Sequence, residues 1–216
     1  MQHDLASWAR TLRRRAEERL ALTQGRPPPR GVARGFGTWR DTVGRPAGAS
    51  PSSAPTTPVP SHIAPPHSLD DALWLALTSP EGPIPPLLAP ERADAPAPLS
   101  DPVGMRGVEV WTETELSAMH ALWWLARRSG DPERLRRLDL SATWMLEHMQ
   151  PDNATNRPWA ICVFLDLWRR EDNHDASLYA QTLLHNAEIG ADLDDPLVAL
   201  ILADNADALD AMLRDG

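Results

Sequence analysis

The sequence predicts an all-α fold of antiparallel helical hairpins, preceded by an N-terminal helix and a proline-rich linker. Three observations carry that prediction. No stretch alternates apolar and polar residues with the two-residue period of a strand. Apolar residues instead recur at helical spacing, in segments opened by Asp, Ser, Thr or Pro and closed by Gly or Pro. The C-terminal half also resembles itself at a shift of about 42 residues, which brings Trp123-Trp-Leu-Ala-Arg-Arg128 close to Leu165-Asp-Leu-Trp-Arg-Arg170.

Residues 4–22 read as an amphipathic helix. Asp4 is placed to cap it, because its carboxylate can accept from backbone N–H groups left open in the first turn. Leu5, Trp8, Leu12, Ala16 and Leu20 form a narrow apolar stripe, while Arg10, Arg13, Arg14, Arg15 and Arg19 occupy the other faces. The helix, within a first unit 1–25, ends at Gly25 and the prolines that follow.

From 26 to 104 the composition changes. Of the 22 prolines in the chain, 18 lie between Pro27 and Pro102, mixed with Gly, Ser, Ala and Thr. Such a segment buries too little apolar area to offset its ordering entropy, so a mostly irregular linker is expected. One short helix at 68–78 interrupts it, capped by Ser68 with Asp71 and carrying Leu69, Leu73, Trp74 and Leu77. A helix of that length is marginal alone and requires a surface to pack on. Ile84-Pro-Pro-Leu-Leu88 is a second candidate anchor.

The helical-hairpin domain is assigned to 105–216. Thr112 with Glu115 fits a capping box, and Trp111 can staple to Leu116, which predicts a helix over 113–128. Ser129-Gly130 stops it. Asp131-Pro132 opens the next helix, cap first and proline in the first turn, and Pro151 closes it. Pro158 restarts a helix so apolar, through Ile161, Val163, Phe164, Leu165 and Leu167, that it must be buried on most sides. Further helices follow over 175–189, closed by Gly190, and from Asp195-Pro196 to the end.

The rhythm Leu122-Trp-Trp-Leu-Ala-Arg-Arg-Ser-Gly-Asp-Pro-Glu133, then a helix, then Gln150-Pro-Asp152 resembles one hairpin of the α/α-toroid proteins. These include six-hairpin glycosidases and prenyltransferase-like barrels. The resemblance covers about 109–190 and implies an incomplete α/α-toroid or an open helical array, because a closed barrel needs about twelve helices. It also implies that loops at one end of the helices line the working cleft. That points to 150–159.

Composition narrows the function classes. The net charge of −9 argues against nucleic acid as a partner. Every basic residue is arginine. A single cysteine, Cys162, leaves no intramolecular disulfide and no paired-cysteine zinc or redox motif. No run is long and apolar enough to be a transmembrane segment. The opening Met1-Gln2-His3-Asp4 lacks the charge and apolar core of a secretory signal, so a cytoplasmic location is expected.

The loop 150–159 concentrates amides, a carboxylate, a guanidinium and an indole between two apolar helices. Asp152, Asn153, Asn156, Arg157 and Trp159 are the candidate ligand-binding residues. Forked donors beside an aromatic face suit sugars or carboxylates. The same residues also serve as turn, cap and core, and Asn153-Ala-Thr155 matches a glycosylation sequon without a secretory signal to support it. Were the chain an enzyme, Glu109, Glu113 and Asp152 would be its catalytic carboxylates, set across a cleft of about 5–9 Å for glycosidic acid–base work.

Other candidates have simpler readings. Asp166, within the most apolar helix, lies on a thin exposed stripe or pairs with Arg169 or Arg170. His174 and His185 are too far apart to share a metal, and Asp192-Leu-Asp-Asp195 lacks the glycine and terminal glutamate of a calcium loop. No metal and no cofactor are expected. His120 and His148 read as core histidines satisfied within helices, and Cys162 as an inert core residue. Between Glu188 and Gly216 eight acidic residues face Arg214 alone, so the arginine-rich first helix is expected to lie against this acidic end.

Three functions fit. The first is a helical binding or scaffold module that uses the 150–159 loop for a protein partner or a small polar ligand. The second is an α/α-toroid-type carbohydrate-active enzyme or degenerate relative. The third is a structural subunit completed by another chain, with self-association as its signature.

Overall fold

The computed structural model describes residues 4–22, 68–78, 84–101, 107–150 and 155–215. Among them are seven α-helices and no strand: α1 Leu5–Leu22, α2 Leu69–Thr78, α3 Val108–Ser129, α4 Pro132–His148, α5 Ile161–Glu171, α6 His174–Gly190 and α7 Pro196–Asp215. No described helix is long and apolar enough to cross a membrane. The expected linker is described only at 68–78 and 84–101; of the sequon, residues 153 and 154 lie outside the described residues and Thr155 is buried.

The 42-residue register reappears in the backbone. α3 ends at Ser129 and α5 at Glu171. Each is followed by one left-handed residue, Gly130 at φ 62° and Asp172 at φ 54°. Each turn then supplies a cap, with Asp131 accepting from the Glu133 N–H at 3.0 Å and Asn173 from the Ala176 N–H at 3.2 Å. Gly130 suits the left-handed position because no Cβ clashes there. The result is two antiparallel hairpins, α3–α4 and α5–α6, each closed by a two-residue connection (Gly130-Asp131 and Asp172-Asn173).

The first helices of the hairpins run side by side in the same direction. Glu113 meets Arg157, His120 meets Ala160 and Trp123 meets Asp166, so the contacts advance together along α3 and into α5. α7 extends this inner row, with Asn205 accepting from the Cys162 N–H and donating to the Pro158 carbonyl. The outer row holds α4 and α6. Its third member is α1, which packs antiparallel on α7: Arg19 bonds the Asp192 carbonyl while Arg13 bonds Asp207 and Asp210. The array therefore holds three helix pairs, and the third is completed by the N-terminal helix. The charge pattern of the sequence anticipated that docking.

Local detail departs from expectation in two places. In α1, Leu20 is only half-buried and Arg19 is buried instead. The reason is that the Arg19 guanidinium donates to the carbonyls of Ala187 and Asp192, which satisfies backbone acceptors where α6 ends. α3 begins at Val108 rather than 113, behind Gly107 at φ 123°. Thr112 and Glu115 thus lie inside the helix and form no capping box. Glu115 accepts instead from the N–H groups of Leu99 and Ser100 and from the hydroxyls of Ser100 and Ser141.

That carboxylate and Arg137 fasten the irregular 84–101 segment to the first hairpin. Arg137 donates to the carbonyls of Leu88, Ala97 and Pro98, each of which would otherwise lose water without a replacement partner. α2 finds its required surface on α3, where Leu73 and Trp74 are buried and the Trp74 indole donates to Ser117 Oγ at 3.0 Å. Covered by α2, α4, α5 and this strap, α3 joins α5 as a helix buried on most sides.

Candidate functional site

The candidate loop lies at the end of the array where α5 begins and α6 passes into α7. Its described part, 155–159, is committed inward. Arg157 Nη1 lies 2.8 Å from Glu113 Oε1, and its Nε lies 3.9 Å from Asp195 Oδ2. The Glu113 side chain is 3% exposed, so this is a sheltered ion pair that ties the loop to α3. Asn156 Nδ2 donates to the Gly190 carbonyl at 3.1 Å, and a Cβ at Gly190 would sit 3.1 Å from Asn156 Cβ. The loop and the α6–α7 turn are thus braced against each other.

Trp159, read either as a stacking face beside these donors or as core, is a core residue only 1% exposed. Its ring lies edge-on to His120 at 5.9 Å and tilted against Trp74 at 5.9 Å. Glu109 is exposed on the first turn of α3, one turn before Glu113. Asp152 and Asn153 lie outside the described residues. Of the expected site residues, the structure brings Glu113 and Arg157 together and turns Trp159 away from them.

A buried polar seam runs through the middle of the inner row. His120 Nδ1 accepts from the Ala160 N–H at 3.4 Å, and its Nε2 lies 2.9 Å from Asp204 Oδ2, out of line for a hydrogen bond. Asp204 also accepts from the Trp124 indole at 2.8 Å. Asp166, caught between its two sequence readings, is buried and paired: it accepts from the Trp123 indole at 3.1 Å and from Arg169 at 3.3 Å, with Arg170 Nε 3.5 Å away. Cys162 is fully buried, and its thiol is pushed well up, first by burial and then by the charges of Asp204 and Asp166. Such a thiol is a poor nucleophile.

The sequence reading missed the His120–Asp204 contact, although an Asp-Asn pair inside the apolar run 197–212 was a usable signal. A His–Asp pair can orient a base, but this one is closed off from solvent by Trp74, Trp124 and Trp159. Among the described residues, no three His, Cys, Asp or Glu side chains are grouped to hold a metal ion.

Open space lies on the other side of the α6–α7 turn. A cavity of about 290 Å³ runs between α1, α6, α7 and that turn, lined by Leu22, Leu184, Ala187, Leu193 and Leu202 together with Arg15, Glu18, Arg19 and Glu188. Leu22 and Leu193 are 53% and 63% exposed. The cationic groups here have internal partners: Arg15 Nε lies 2.8 Å from Glu188, and Arg19 is bonded to two carbonyls. The volume is at the low end for small-ligand sites, and four of the nine lining residues are charged. No known protein family, curated protein or solved structure shows a significant match to this chain.

Proposed function

We propose that this chain is a helical-hairpin binding or scaffold module, and that its working end is the α6–α7 turn. The observation that carries the reading is a cavity flanked by two exposed leucines, Leu22 at the end of α1 and Leu193 on the α6–α7 turn, which Asn156 and Arg157 brace from behind. In this reading the 155–159 loop serves recognition indirectly. Asn156 and Arg157 hold the turn in place, and Leu193 and Leu22 meet an apolar side chain of a protein partner. A braced turn loses little entropy on binding, which favours its use as a docking edge.

Affinity capture with wild-type and Leu193→Asp baits tests this reading. A partner held by the wild type and lost from the variant supports it. Identical captures from both baits refute it.

The second reading, an α/α-toroid-type carbohydrate-active enzyme using Glu109, Glu113 and Asp152, draws support from the 42-residue hairpin register. The engagement of Glu113 with Arg157 counts against it, because a general acid must be open to the glycosidic oxygen. The binding module is the better fit.

A further inference from the structure

In each of the first two pairs the chain supplies both helices in succession. The third pair is different: among the described helices α7 is the last and α1 the first. Residues 23–68 join α1 to α2, and a chain of that length can span on the order of 150 Å when extended. By length alone, that connection lets α1 reach the α7 of its own chain or of a second copy. What the seat requires is mutual fit.

That fit is self-contained. Leu5, Trp8, Leu12 and Ala16 are buried, while Arg13 reaches Asp207 at 2.6 Å and Asp210 at 2.9 Å on α7. Arg15 reaches Glu188 on α6, and Arg19 caps carbonyls at the α6–α7 turn. All these polar partners belong to α6, α7 and the turn between them. Any copy that presents those elements offers the complete seat, with an acidic face matched to the arginines of the helix.

We infer that α1 is an exchangeable helix, and that the seat on α6 and α7 accepts the α1 of a second copy of this chain. Both seats are filled in the exchanged dimer through the same contacts as in the monomer. In the structure each seat is filled by the chain's own α1. Weakening only the self-closed pairing should bring the exchanged form into view.

Charge reversal on opposite sides of the seat does this. One full-length variant carries Arg13→Glu and the other Asp207→Arg with Asp210→Arg. Alone, each must close on a seat of like charge. Mixed, the reversed helix of the first matches the reversed seat of the second, and the two unaltered surfaces match each other. Only the exchanged heterodimer satisfies both seats. These side chains are partly exposed, so the core is untouched.

The expected result by light scattering after size exclusion is the 23.8 kDa monomer mass for each variant alone and twice that mass for the equimolar mixture at roughly 100 µM. A mixture that stays at monomer mass, with both variants helical by circular dichroism, overturns the inference. Dimers formed by either variant alone overturn it too, since that association does not follow the charge match. If one variant does not fold alone, its recovery on mixing supports exchange and continued failure counts against it. An independent pair, Arg15→Glu with Glu188→Arg, must give the same pattern.

Discussion

Arg157 and Glu113 lie 2.8 Å apart although 44 positions separate them, and their contact ties the loop before α5 to the second turn of α3. Removing the guanidinium alone would leave a sheltered carboxylate without its counter-charge. Arg157→Ala is expected to cost on the order of 3 kcal/mol, since breaking one side of a buried pair is worse than never having the pair. The double replacement Glu113→Leu/Arg157→Leu should recover much of that loss. Urea denaturation of the single and double variants checks this. Additive losses would show that the pair is not coupled.

Glu115 provides a pH signature. Burial raises its carboxyl above the ordinary value, outweighing the bonds from Ser100, Leu99 and Ser141 that favour its charged form. Because the folded pKa exceeds the unfolded one, the folded chain binds the extra proton. Its stabilising contribution is full below the unfolded value of 4.5 and is lost as pH rises through the folded pKa. Thermal melts from pH 4 upward should show this decline in the wild type and a flatter profile in Glu115→Gln. Parallel profiles would assign the slope to another group.

Cys162 should resist an aromatic disulfide reagent at pH 8 in the folded protein and react at once in denaturant. The cause is burial together with two nearby carboxylates, which disfavour the thiolate. Rapid labelling under native conditions would mean that α5 and α7 open far more readily than their packing implies.

At the α1 seat, apolar burial should outweigh charge. Leu12 is completely buried, so Leu12→Ala is expected to cost about 2–4 kcal/mol. The Arg13 pairs are partly exposed, so Arg13→Ala should cost under about 1 kcal/mol, and less still in high salt. Chemical denaturation at two ionic strengths separates the two. A salt-sensitive loss in Leu12→Ala would reverse the ranking.

Mutating the brace should loosen the turn and leave the helices in place. Asn156→Ala removes the bond to the Gly190 carbonyl, so amide exchange should speed up at 190–195 and stay unchanged in the middle of α5. Uniform acceleration would instead mean that Asn156 supports the whole fold.

The elements legible in the sequence are those whose causes are local. Asp4, Asp131 and Asp195 each accept from an N–H within three residues, and each was readable as a cap for that reason. The 42-residue register was legible because two hairpins of equal length repeat the same turn chemistry in Gly130-Asp131 and Asp172-Asn173. Misreadings came where a distant partner outbid a local one. Glu115 abandons a capping box for Leu99 and Ser100, and Arg19 enters the core to reach Ala187 and Asp192.

Helix identity, order and apolar faces thus follow from spacing along the chain, since a helical face depends only on neighbours three and four residues away. Which helix lies beside which does not. It was packing in three dimensions that joined His120 to Asp204, closed Glu113 on Arg157 and drew Arg19 into the core. Those choices depend on which surfaces bury the most area and match the most charge at once, a comparison over the whole chain that no local pattern encodes.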